Sequence, residues 1–124
     1  MKHKTAELTG ALLDAAVALA EGLPFKMIED GKAWLYLTCL RTASVRECPQ
    51  FSTQWGDGGP IIERGRISLL PPGYGGAEHW TAGVGVRNSY DGWEADHEAE
   101  GPTPLIAAMR AFVASKLGFE VELP

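Results

Sequence analysis

Apolar positions recur at helical spacing in two stretches of the chain and alternate at strand spacing in others. From Thr5 to Glu21, Leu8, Leu12, Ala15, Ala16 and Leu19 repeat every three to four residues, which predicts a helix with one apolar face. Gly22 suits its end and Pro24 blocks its continuation. Two short apolar runs, Phe25–Ile28 and Trp34–Leu40, flank Glu29-Asp30-Gly31-Lys32. Asp-Gly supplies the two positive-φ positions of a tight turn, so a hairpin is expected there. The second run is apolar almost throughout, and its periodicity also fits a helix. Residues 41–60 carry Pro49, Ser52, Thr53, Gly56, Gly58, Gly59 and Pro60, which predicts a long irregular connection. Ile61–Arg64 then reads as a short helical turn started by Pro60. Ile67–Leu70 reads as a strand stopped by Pro71-Pro72. Trp80–Val86 alternates large and small residues and reads as a half-buried strand. Residues 87–100 read as an acidic loop. The last helix is the best marked: Thr103 suits the N-cap, Pro104 the first turn and Gly118 the position just past Leu117. A short strand is expected at Phe119–Leu123.

These elements predict an α+β fold, with two Ala-rich helices packed on a small antiparallel sheet of roughly three to five strands. With 124 residues the chain is expected to form a single domain, 1–124. Both helices are poor in charge: Asp14 is the one charged residue from Leu8 to Ala20, and Arg110 the one from Leu105 to Ser115. Helices with so little polar surface bury more than one side. A homodimer is the expectation that follows. For Asp14 and Arg110 the roles stay open: a structural ion pair, a pair of rim charges or, for Arg110, a hold on an anionic group.

The formal charge of −5 is concentrated in one place. Asp91, Glu94, Asp96, Glu98 and Glu100 are five of the 16 acidic residues, and the 11 that remain balance the 11 Lys and Arg. No basic patch stands out, so nucleic-acid binding is not expected. The longest apolar run, Ala15–Ala20, is far too short to cross a bilayer, and Glu7, Asp14 and Glu21 interrupt any signal-like stretch. A cytoplasmic protein with Cys39 and Cys48 as thiols is expected.

Candidate chemistry is sparse. Gly56-Asp57-Gly58-Gly59-Pro60 is glycine-rich, but no Lys-Ser/Thr follows as a phosphate loop requires. His79 and His97 lack the spacing of metal ligands, and no serine or cysteine lies in a nucleophile frame. No catalytic residue, metal or cofactor is assigned. The residues with most promise for a ligand or partner are Trp55, Asp57, Glu63, Arg64 and Arg110. Trp55 and its glycine-rich surroundings suit a groove, and a helix N-terminus offers free amides to an anion. The segment Trp55–Arg64 and the start of the last helix are expected to lie together. The acidic segment also permits a DNA-mimic reading, although five charges are few for a duplex.

Three blocks carry a resemblance: Leu8-Thr9-Gly10-Ala11-Leu12-Leu13-Asp14, Gly58-Gly59-Pro60-Ile61-Ile62-Glu63-Arg64, and Gly101-Pro102-Thr103-Pro104-Leu105-Ile106-Ala107-Ala108-Met109-Arg110. Together they resemble the NinX-like family of tailed-phage and prophage proteins, a domain of unknown function. Residues 71–100 and the last six match less clearly. The resemblance implies a small cytoplasmic protein of an infected or lysogenic bacterium and supplies neither an activity nor a catalytic residue; the leading expectation is a non-catalytic accessory protein that binds a host or phage protein or a second copy of itself. An enzyme or small-ligand binder using residues 55–64 and Arg110 is the alternative.

Overall fold

The computed structural model describes residues 2–36, 45–73, 78–89 and 92–123. The chain begins with strand β1 (Lys2–Lys4), a single 3-10 turn (Thr5–Glu7) and helix α1 (Gly10–Ala20). Strands β2 (Phe25–Glu29), β3 (Lys32–Tyr36) and β4 (Val45–Glu47) precede helix α2 (Trp55–Gly65). Strands β5 (Ser68–Leu70), β6 (Trp80–Val84), β7 (Arg87–Ser89), β8 (Gly92–Glu94) and β9 (His97–Gly101) follow. Helix α3 (Pro104–Leu117) and strand β10 (Glu120–Glu122) close the chain.

Local signals explain several of these elements. The Ile106 amide donates to Thr103 Oγ1 (3.2 Å), Pro104 opens α3, and Gly118 ends it at φ +90°. The β2–β3 turn is the expected one: Asp30 and Gly31 both have positive φ, at 53° and 72°. Helix α1 starts later than its periodicity predicts, because Thr5–Glu7 winds more tightly and the chain is extended at Leu8 and Thr9. It ends where Gly22, at φ +76°, turns the chain and the Leu23 amide returns to the Ala18 carbonyl (2.9 Å). Part of the expected 34–40 run and the start of the expected 41–60 connection lie outside the described residues.

The α+β class holds, with the strands divided among small antiparallel sheets ordered β2-β3-β4, β5-β6-β9, β1-β10 and β7-β8. Helix α1 packs on β2, β3 and α3, while α3 packs on β9, β6, α1 and α2. The helix pair therefore lies between two three-stranded sheets. This explains the alanines. Every residue of α1 from Leu13 to Ala18 is buried, a run longer than one helical turn. In α3, Ala107, Ala108, Met109 and the stretch Ala111 to Ala114 are buried. Small side chains let each helix approach neighbours on two sides. The charge-poor faces are thus covered within one chain, and they no longer argue for a dimer.

Two segments differ from expectation. The described part of the 41–60 stretch is not irregular throughout, because β4 occupies Val45–Glu47 and α2 already begins at Trp55. The expected turn at Ile61–Arg64 lies inside this helix; glycine is a poor helix former, and Gly56, Gly58 and Gly59 hide its start from a local reading. The expected acidic loop at 87–100 is largely strand instead. Among the described residues it holds β7, β8 and most of β9, and β9 pairs with β6 in the register Val84↔His97, Ala82↔Ala99 and Trp80↔Gly101. Glu98 and Glu100 are exposed, whereas Gly101 is buried against α3. Arg87 pairs with Asp96 (2.8 Å) and Glu94 (3.6 Å), which offsets part of the local acidity.

Candidate functional site

The first turns of α2 and α3 meet, as expected, and two glycines set how closely. A Cβ on Gly58 would stand 2.4 Å from the Phe51 carbonyl oxygen and 2.8 Å from Leu105 Cδ2. A Cβ on Gly101 would stand 2.7 Å from the Ala107 nitrogen. Both glycines belong to the motif blocks, and here they serve packing against the start of α3. Gly59 has a different role. A residue before proline is driven from helical geometry by its own Cβ, and glycine avoids that clash with Pro60 inside α2.

Beside this junction lies a groove of about 370 Å³ with a mainly apolar lining. Trp55 forms one side, with Thr53; Pro104, Leu105 and Ile106 form the other. Trp55 is 55% exposed, although indole is among the largest apolar surfaces a side chain offers. The segment under the groove is fastened by two carboxylates. The Ser52 amide donates to Asp14 Oδ1 (2.8 Å), and the Gln50 amide donates to Asp57 Oδ2 (3.0 Å). Phe51, buried, anchors the same turn in the core.

Asp14 is only 7% exposed and takes part in no ion pair among the described residues. Burial holds its carboxyl above the ordinary carboxylate range, opposed by Ser52, while the charge of Asp57 adds to the rise. The Ser52 hydroxyl lies near this carboxyl and is buried, but among the described residues it makes no hydrogen bond of good geometry. Cys48 donates weakly to the Asp14 carbonyl (3.5 Å), and burial, with the charge of Asp14, pushes its thiol up to about 12. Such a thiol is not a nucleophile at neutral pH. This group of Asp14, Cys48 and Ser52 fixes the loop that presents Trp55.

The five residues singled out in the sequence do not form one site. Trp55 alone faces the groove. Asp57 is turned to the Gln50 amide. Glu63 is exposed and takes part in no ion pair among the described residues. Arg64, at the far end of α2, pairs with Glu21 (2.6 Å). Arg110 donates from Nε to the Leu8 carbonyl (2.9 Å) and from an Nη to the Glu100 carbonyl (2.8 Å). Arg110 and Asp14 are not partners. Burial lowers the Arg110 pKa, and its bonds tie α3 to the chain ahead of α1 and to β9. Sequence reasoning missed Leu105 and Ile106 as groove residues, since both read as ordinary apolar positions of α3. It also missed Ser52 as the partner of Asp14, a contact across 38 residues.

Among the described residues, no three His, Cys, Asp or Glu side chains group as a metal ion requires, and no helix is long and apolar enough to cross a membrane. The family model described as Bacteriophage P22, NinX matches residues 4–116, a range that includes both glycine motifs and the acidic strands. No curated protein matches the chain.

Proposed function

This chain belongs to the bacteriophage P22 NinX family, and from that premise we propose that it is a non-catalytic accessory protein that binds a phage or host protein through the groove beside Trp55. It acts in the cytoplasm of the bacterial cell. The observation that carries this reading is the exposure of Trp55 over a groove lined by apolar side chains of α3. An aromatic anchor beside an apolar slot is the usual composition of a binding hot spot. Rigid support favours the same reading, because Asp14 and Asp57 hold the preceding turn by its amides. The partner is expected to contribute an aliphatic or aromatic side chain to the slot. Nucleic acid is not proposed, since the net charge is −5 and repels phosphates.

Co-purification from infected cells tests the proposal. Wild-type protein and Trp55→Ala are compared, with Phe119→Ala as a control at a second exposed aromatic position. A partner retained by wild type and by Phe119→Ala, but lost with Trp55→Ala, supports the reading. Equal retention by all three contradicts it. Self-association through the same face is separated by sedimentation of the purified chain, where a homodimer dispersed by Trp55→Ala identifies the partner as a second copy.

A further inference from the structure

The sheet β5-β6-β9 ends at β9, whose second side pairs with no strand among the described residues. Such an edge turns alternate N–H and C=O groups toward whatever lies beside it and is a template for another strand. Arg110 Nη takes the Glu100 carbonyl at 2.8 Å and closes one position of this edge. A groove of about 450 Å³ runs along the rest, lined by residues 98–102 and by Ala6, His79 and Arg110.

The acids of this stretch form a row. The β6–β9 and β7–β8 ladders keep one register, so residues 94, 96, 98 and 100 fall on one face. All four are exposed, whereas Ala95, His97 and Ala99 between them are half-buried. Arg87 bridges Glu94 and Asp96, which places those two side by side. Across from Glu98 and Glu100 stand Gly83 and Thr81, which supply no base. Glu98 and Glu100 take part in no ion pair among the described residues. Arg110 is held by the Leu8 and Glu100 carbonyls. Like charges directly opposite destabilise a strand pair, and opposite charges stabilise it. The row therefore repels a second copy's β9 and favours a strand with bases at alternate positions.

We propose that the open edge of β9 takes up an extended basic segment of a partner protein as an added strand, with Lys or Arg at alternate positions. Its backbone extends the sheet, and its bases meet Glu98 and Glu100. Strand addition draws affinity from the backbone and selectivity from alternate side chains. This groove and the Trp55 groove share no lining residue, so either proposal can fail without the other.

The test uses the purified chain and a capped hexapeptide of alternating lysine and threonine, followed by heteronuclear NMR. Saturable shifts confined to the amides of Ala6, His79, His97 to Gly101 and Arg110 are expected. Three control peptides are expected to bind more weakly: one with glutamate for lysine, one with its lysines grouped at one end, and one methylated at every backbone nitrogen. The double variant Glu98→Gln, Glu100→Gln keeps the fold, since both side chains are exposed, and is expected to weaken binding by about fivefold or more. Trp55→Ala is expected to leave peptide binding unchanged. No saturable shift, undiminished binding by any control peptide, or undiminished binding by the double variant would overturn the proposal. Concentration-dependent shifts of the same amides in the chain alone would place a second copy at the edge and overturn the foreign partner.

Discussion

Replacing Gly58 by alanine isolates the contact that brings α2 onto α3. The added methyl would lie 2.4 Å from the Phe51 carbonyl oxygen and 2.8 Å from Leu105 Cδ2. Neither neighbour yields easily, because Phe51 and Leu105 are both buried. Overpacking of this kind costs about 1–3 kcal/mol. Alanine returns up to about 1 kcal/mol through its better helix propensity. The net expectation is a loss of about 1–2 kcal/mol, or a fall in Tm of roughly 3–10 °C for a chain of this length. Gly56 is the matched control. It lies in the same first turn of α2, and a Cβ there meets nothing within 4 Å. Gly56→Ala should therefore leave Tm unchanged or raise it. Thermal denaturation followed by circular dichroism measures both variants. A Gly58→Ala protein as stable as wild type, or a Gly56→Ala protein destabilised as much as Gly58→Ala, would refute both the helical start at Trp55 and its seat on Leu105.

Two further predictions concern charged groups. Arg110→Ala leaves the Leu8 and Glu100 carbonyls without their donor and should cost about 2 kcal/mol, whereas Arg64→Ala removes an exposed pair and should cost less than about 1 kcal/mol. Urea denaturation of the two variants checks the order, and equal losses would show that Arg110 is not the tie between α3 and β9. For Asp14, burial raises the folded-state pKa above the ordinary value of 3.8, so the folded chain holds this proton more tightly than the unfolded one. That contribution to stability is complete below the unfolded value and is lost as pH rises through the folded value. Asp14→Asn keeps an acceptor for the Ser52 amide and cannot ionise, so the stability of wild type minus that of the variant should fall from acidic to neutral pH. A difference that is flat or rising over that range would contradict the burial argument.

What could be read from sequence depended on where each signal resides. The boundaries of α3 and the β2–β3 turn rest on single residues acting locally: Thr103, Pro104 and Gly118 in one case, Asp30 and Gly31 in the other. Helix α2 rests on contacts instead. Gly56, Gly58, Gly59 and Pro60 all disfavour a helix, and what selects it is the fit of Gly58 against Phe51 and Leu105, the second of them 47 positions away. Strand β9 was concealed by its charges. The alternation of His97, Ala99 and Gly101 with Glu98 and Glu100 is a strand period, but the acidic composition reads as a solvated loop. The same division holds for the candidate site. Trp55 stood out as an aromatic beside glycines, and it lies 55% exposed along the groove. Arg110 stood out as a lone charge in an apolar helix, but its partners lie at Leu8 and Glu100, and no local pattern names them. The alanines promised burial on two sides, and the sheets that cover those sides come from two separate stretches of the chain, 25–47 and 68–101.

Site-specific photo-crosslinking in infected cells reads out whether the Trp55 groove holds a protein partner. A photoreactive amino acid is placed in turn at Trp55, at Ile106 across the same groove, and at the exposed Phe119 away from it. A partner seated in the groove gives one protein adduct of the same mass from positions 55 and 106 and none of that mass from position 119. No adduct from either groove position, or the same adduct from all three, would contradict a partner-binding role for the groove.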